Sequence, residues 1–339
     1  MADPLRVAVI GLGSMGGNHA RVLSELPDAE LVAVADLDEG RLLNAAQGAR
    51  AYRDYRELLA REELDAVSIA VPTRRHLEVS LVCIDRGVPL LIEKPLGADL
   101  DECLRLRDAA EASGIPLMVG HIERFNPAVR ELKRRLDAGE LGRVIELRAR
   151  RVGPFAERRR DVGVVHDLAT HDIDVLRFLL GCEVEQVQAE TQRGLRTEFE
   201  DALDGLLRFE DGTVGVLEVN WLTPVKVREL AVLGERGMFV LDYITQELSC
   251  YEIVAAVPTA GAGWPASVSG LEGAMTRLPV EREEPLRAEL SAFLRTARGL
   301  EPPPVSAADG IAAIRVADAL VEAARRGEAV RLIAARPAK

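Results

Sequence analysis

Two stretches of this chain concentrate side chains that can move a proton. The first is His166-Asp167-Leu168-Ala169-Thr170-His171-Asp172-Ile173-Asp174. Read as a helix, it puts Asp167 and His171 four apart on one face, with Asp174 a turn further. An aspartate that orients one imidazole nitrogen leaves the other to act as general base on a hydroxyl. The second is Glu93-Lys94-Pro95, which follows an apolar strand pattern ending at Ile92. A lysine there can hold a hydroxyl and stabilise alkoxide character as it develops. Alone, Lys94 reads as a surface lysine before a turn, although Pro95 restricts the backbone at Lys94 and weighs against that. The histidine stretch has two other readings. One is a helix start rich in acids for capping and dipole reasons, and the other is a metal site drawn from His166, Asp167, His171 and Asp172.

A third stretch says what these protons would accompany. Gly11-Leu12-Gly13-Ser14-Met15-Gly16 follows an apolar strand and opens a helical pattern, the context a dinucleotide pyrophosphate requires. Gly11 allows the tight turn, Gly13 lets the backbone approach the phosphates, and Gly16 lets helix and strand pack closely. The helix N-terminus offers free N–H groups to the anion. Asp36 ends the next strand, twenty positions beyond Gly16. A carboxylate there accepts from the ribose hydroxyls and repels a 2′-phosphate, so NAD is expected over NADP. No HExxH is present, and hydride transfer to nicotinamide needs no metal once a lysine and a histidine handle the proton. No metal is therefore expected.

The elements that must position these groups follow from patterning. From Arg6 to Gly120, apolar runs (Arg6–Ile10, Leu31–Ala35, Ala66–Ala70, Pro89–Ile92, Pro116–Val119) alternate with amphipathic stretches such as Arg75–Arg86 and Asp99–Ala112. That alternation predicts a doubly wound parallel sheet covered on both faces. After Gly120 the pattern changes to a helix (Pro127–Ala138), a long strand (Arg143–Val152), a helix near Asp167–Leu180, and successive strands from Val184 to Val254. Two helices close the chain, Glu284–Arg298 and Ala307–Arg326. The expected fold class is α/β: an N-terminal Rossmann domain over 1–121, then an α+β domain with a largely antiparallel sheet over 122–339. The C-terminal helices are able to pack back on the first domain.

Composition sets the outer bounds. With 339 residues, 48% hydrophobic and 29% charged, the chain suits a two-domain globular enzyme. A net charge of −12 argues against nucleic acid as a partner. Cys83, Cys103, Cys182 and Cys250 form no CxxC pair and read as free thiols of a reducing compartment. Met1 to Ile10 runs straight into a strand pattern without a leader, and no apolar run is long enough to span a membrane. A cytoplasmic, soluble protein is expected.

Together the Gly-rich turn, Ala70-Val71-Pro72-Thr73 with His76, Glu93-Lys94-Pro95 and Asp167-x-x-x-His171 resemble the glucose–fructose oxidoreductase/inositol dehydrogenase (Gfo/Idh/MocA) family over nearly the whole chain. The resemblance implies an NAD(P)-dependent sugar or polyol dehydrogenase with Lys94, Asp167 and His171 as its catalytic set. It also implies that Ala70, Pro72, Thr73, His76, Glu93 and Lys94 join Gly11, Leu12, Gly13, Ser14, Met15, Gly16 and Asp36 around the cofactor. The family's usual Gly-Gly-Gly run is here Gly163-Val164-Val165-His166, which implies a different substrate floor.

Gly120–Pro127, Asp161–Asp167 and Asn220–Arg228 further resemble the branch that oxidises C3 of UDP-N-acetylglucosamine. On that reading Arg124, Asn126, Arg158, Arg159 and Arg160 join Lys94, Asp167 and His171 at the substrate. Independently, Arg148 to Arg160 holds six arginines against one glutamate. Such a segment could clamp a diphosphate bidentately, or it could be a solvated face or a set of inter-subunit salt bridges. Trp221 and Phe155 could stack on a base, although Trp221 also reads as core. The rival functions are an inositol or aldose dehydrogenase of the same family and a non-catalytic NAD-sensing interaction protein. Strand Thr213–Trp221 is apolar on both faces, which predicts a homodimer or homotetramer through the second sheet.

Overall fold

The computed structural model describes residues 3–45, 48–155, 162–196, 198–253 and 273–332. The chain divides into two compact units, Met1–Phe125 with Glu283–Arg315, and Asn126–Arg282 with Val316–Lys339. The first unit thus runs to Phe125 and also takes in Glu283–Arg315.

In the first unit the chain runs β1 (Leu5–Ile10), α1 (Ser14–Glu25), β2 (Ala29–Ala35), α2 (Glu39–Ala45), β3 (Arg50–Tyr52), α3 (Tyr55–Arg61), β4 (Ala66–Ile69), α4 (His76–Asp85), β5 (Leu90–Glu93), α5 (Leu100–Ser113) and β6 (Leu117–Gly120). The six strands are parallel, in the order β3-β2-β1-β4-β5-β6. Every residue of β4, β5 and β6 is buried, as strands covered on both faces require. Strand order reverses between β1 and β4, so the loops after those two strands open a crevice where ligands bind in such sheets. Local signals set the helix ends: the Asp99 side chain accepts from Glu102 N to start α5, and Gly114 ends it in the left-handed region at φ 65°.

The second unit holds α6 (Pro127–Asp137), β7 (Val144–Pro154), α7 (Thr170–Leu180), β8 (Val184–Arg193), β9 (Glu200–Phe209), β10 (Val214–Asn220), β11 (Leu222–Gly234), β12 (Gly237–Asp242), β13 (Glu247–Glu252), β14 (Met275–Leu278) and β15 (Val330–Arg331). These strands form one sheet, β14-β13-β12-β11-β7-β10-β9-β8-β15. All of its pairings are antiparallel except β7 with β10. Leu147, Ala149, Leu217, Val219, Leu230 and Phe239 are buried on one face, the face that packs on α6 and α7. Two further helices are α8 (Pro285–Ala297), in the first unit, and α9 (Ala307–Arg326). No helix among the described residues is long and apolar enough to cross a membrane.

Candidate active site

The turn after β1 is a cradle with one open side. Gly11 sits at φ +90°, and a Cβ on it would lie 2.7 Å from the Ala70 backbone. A Cβ on Gly16 would lie 1.7 Å from Gly11 O, whereas one on Gly13 would meet nothing within 4 Å. Glycine is thus needed for packing at two positions, and the third faces open space. Gly13 precedes α1, whose first turn carries no acid, so its N–H groups face no competing carboxylate. The cradle opens into a cavity of about 900 Å³ lined by Gly11, Gly13, Asp36, Ala70 and Pro72 among others. These residues fit a dinucleotide: a helix N-terminus for the phosphates, a carboxylate for the ribose, and room between them.

Asp36 is held in place by the backbone. Its Oδ2 accepts from Leu12 N at 2.6 Å and its Oδ1 from Asp38 N at 2.8 Å. Arg41 lies 3.7 Å from its carboxylate. Arg53, Arg56, Arg74 and Arg75 also line the cavity. Three of these already have acidic partners, Arg53 with Glu39 at 2.6 Å, and Arg56 and Arg75 with Glu78 at 2.5 and 3.1 Å. Distant sequence positions converge here, which a reading of Asp36-Leu37-Asp38 alone cannot reveal.

Beneath the cradle lies a layer of buried polar groups. His76, expected against the cofactor, is buried between two carbonyls, with Nδ1 2.9 Å from Pro95 O and Nε2 3.0 Å from Val71 O. Burial lowers its pKa, so the ring is neutral and donates to one of the two. It ties the loop after β4 to the cis Lys94–Pro95 step. Glu93 ends β5 with its Oε1 3.0 Å from His19 Nε2, and its Oε2 accepts from Lys94 N at 3.2 Å. Burial pushes the Glu93 carboxyl up, but the His19 hydrogen bond and the Lys94 charge more than offset this and hold it below the usual carboxylate range. Lys94 itself is half-buried at the carboxyl edge of the sheet. His19 escaped the sequence reading.

In the second unit Asp167 lies in a π turn, Val165–Ala169, and His171 is the second residue of α7, which follows directly. The π turn replaces the regular helix expected from Asp167, a local irregularity common at functional sites. The neighbouring groups have other partners. His166 Nε2 is 2.8 Å from Asp318 Oδ1, and its Nδ1 is 3.9 Å from Glu200. Burial works against its charge, yet the two carboxylates raise its pKa to about 9. Asp172 is buried against Arg151, with bonds of 2.7 and 3.0 Å. His166 and Asp172 thus each hold an oppositely charged partner of their own.

The other residues expected at the substrate have partners within the chain or lie outside the described residues. Arg124 bonds Asp309 at 2.8 Å, within the first unit. Asn126 caps α6, accepting from Ala128 N at 3.1 Å, and donates to Tyr243 O at 3.0 Å. Of the six arginines, Arg148 pairs with Glu146, Arg150 with Glu218 and Arg151 with Asp172, whereas Arg158, Arg159 and Arg160 lie outside the described residues. Trp221 is core, and Phe155 meets it edge-on at 5.5 Å rather than offering a platform with it.

Comparison with known proteins agrees with this geometry. Residues 5–121 match the oxidoreductase family with an NAD-binding Rossmann fold, and residues 129–240 match the GFO/IDH/MocA C-terminal domain. The chain is 34% identical to inositol 2-dehydrogenase 2 of Saccharopolyspora erythraea, over 95% of this chain and 94% of that one. It is 30% identical to UDP-N-acetylglucosamine 3-dehydrogenase of Acidithiobacillus ferrooxidans, over 94% and 96%. A solved structure of UDP-N-acetylglucosamine 3-dehydrogenase GnnA from Acidithiobacillus ferrooxidans superimposes with TM-score 0.83 at 27% identity, covering 96% of this chain and 99% of that one. GenD2 from gentamicin A biosynthesis, solved in complex with NAD, gives 0.81 at 27%, covering 98% of each. The fold and the cradle thus define an NAD-dependent oxidoreductase. The chain belongs to the GFO/IDH/MocA family.

Proposed function

We propose that this protein oxidises a secondary hydroxyl of a sugar, with C3 of a UDP-N-acetylhexosamine as the preferred position and a 3-keto sugar as product. What carries the reading is the likeness to UDP-N-acetylglucosamine 3-dehydrogenase, in sequence over 94% of the chain and in fold at TM-score 0.83. A second reading, oxidation of inositol, is favoured by the 34% identity to inositol 2-dehydrogenase 2. It gains weight because three of the arginines that suggested a diphosphate clamp have carboxylate partners in this unit. The diphosphate argument now rests on Arg158, Arg159 and Arg160.

NAD, held by the Gly11–Gly16 turn and Asp36, would supply the acceptor for the hydride of the carbinol carbon. Lys94 hydrogen-bonds the oxygen and stabilises its growing negative charge. His171 takes the hydroxyl proton, and Asp167 orients its ring. Lys94 acting as a neutral base is the alternative, and a pH profile of each variant separates the two. NADH formation measured with UDP-sugars beside free inositols and aldoses decides the substrate. Turnover of UDP-N-acetylhexosamines alone supports the first reading, and turnover of inositol alone replaces it with the second. Silence across the panel, with NAD still bound, revives the non-catalytic sensor.

The open face of the second sheet supports a homo-oligomer, and the free cysteines suit the cytoplasm. Cross-strand rows Met238–Leu233–Glu146–Val214–Arg208 and Val240–Ala231–Arg148–Val216–Leu206 place aliphatic side chains beside charged ones, the composition of an interface with a polar rim. Leu206 is 49% exposed and Leu233 38%. Light scattering at micromolar concentration should give a dimer or tetramer, and Leu206→Glu should shift it toward monomer.

A further inference from the structure

Helix α8 buries an apolar stripe of Leu286, Leu290, Phe293 and Leu294, and in that stripe stands one acid, Glu289, with 0% exposure. Among the described residues, neither of its carboxyl oxygens has a hydrogen-bond partner. A Glu289 oxygen, His19 and a Glu93 oxygen all lie within 4.8 Å of one another. On the far side of the imidazole, Nδ1 is 2.7 Å from Ser68 Oγ. Glu93 is already committed, to His19 and to the backbone of Lys94.

Two carboxylates sharing a fully buried site cannot both ionise at ordinary pH, since each adds desolvation and repulsion to the other. Glu93 has the donors, so the charge belongs there and the proton to Glu289. Burial and the Glu93 charge both push the Glu289 carboxyl well above the usual range. The other charged groups on elements packed against α8 are engaged at its ends. Arg21 and Glu25 of α1 pair with Glu284 and Arg287, and Arg124, in the turn after β6, pairs with Asp309. Glu123 shares that turn and is half-buried.

We infer that Glu289 is kept as a neutral carboxylic acid so that Glu93 is the one ionised carboxylate of the buried cluster behind Lys94, which makes Glu289 and His19 positioning residues for the proton step. The functional half rests on the reading of Lys94 given above. A second negative charge there would oppose the alkoxide that Lys94 stabilises, so ionisation of Glu289 at high pH would slow the reaction.

The experiment compares wild type with Glu289→Gln, which keeps the shape and fixes the neutral state. Infrared difference spectra of the full chain should show a protonated-carboxyl C=O band in wild type that is missing in the variant. A folded-state pKa above the unfolded value gives stability that is present below about pH 4.5 and falls as pH rises toward the folded value. Glu289→Gln should therefore raise Tm by about 2–4 °C at pH 8 and by almost nothing at pH 5. The alkaline limb of kcat/KM should move to higher pH. If Glu289→Gln does not fold, Glu289→Leu supplies the same spectral subtraction. Absence of the band, or equal stability slopes with pH, overturns the inference. So does a stoichiometric divalent metal in the purified protein that is lost in the variant. A band as expected with an unmoved alkaline limb overturns the positioning role alone. Failure of the Lys94 reading shows separately, as full activity of Lys94→Ala.

Discussion

Two histidine–carboxylate clusters, one in each unit, use the same residue types and put their proton in different places. His19, Glu93 and Glu289 are all buried, and the unpartnered acid takes the proton. Glu200 is buried, but His166 and Asp318 reach solvent, with side chains 24% and 49% exposed, and there the imidazole takes it. In the first, burial makes a second charge too costly. In the second, water shares the cost and two carboxylates favour the cation. Each cluster adjoins one part of the proposed proton machinery, Lys94 in one unit and Asp167 in the other.

The largest test removes what the clusters serve. Lys94→Ala and His171→Ala should each cut kcat by roughly 10²–10⁴, while NAD still quenches protein fluorescence on titration. Loss of NAD binding in both would mean that they build the cofactor site instead. Next is a buried pair that supplies its own cation, Arg151 with Asp172, at 4% and 1% residue exposure. Arg151→Leu leaves an uncompensated carboxylate and should cost about 3–5 kcal/mol in urea unfolding.

A smaller effect probes the exposed cluster directly. His166 has a folded pKa of about 9 against an unfolded 6.5. Its contribution is therefore full below pH 6.5 and disappears as pH rises through about 9. His166→Leu should flatten that decline, on the order of 1–2 kcal/mol after allowing for partial exposure. An unchanged slope would show that the imidazole is neutral. The smallest effect belongs to Asp36→Ala. It should weaken NAD by about 1 kcal/mol and narrow its lead over NADP, with the two Kd values read by titration. Wild-type preference for NADP would reverse the argument from Asp36.

The first unit was legible because its signals are local. Parallel strands read as short apolar runs, and the Gly-rich turn is contiguous. What escaped was short, as with β3, α2 and α3, or long-range, as with His19 and Glu289, 270 positions apart. A signal for Glu289 did exist, a lone acid within the Leu286–Phe293 stripe. Asn126 before Pro127 was likewise readable as a helix cap. Arg148 and Arg150 alternate along a strand and so share its open face, where carboxylates of the same strand and its neighbour meet them. The π turn could not be read, since its side chains suit a regular helix equally well.

Gly163 stands where a Cβ would fall 2.1 Å from Glu200 Oε1, and its carbonyl accepts from Asp167 N at 3.1 Å. The space left by one absent methyl group is occupied by a charge. Gly163→Ala would add no ionisable atom, yet it would evict a carboxylate from beside His166 and lower the affinity of that imidazole for its proton. At this position a change in volume would be felt as a change in acidity.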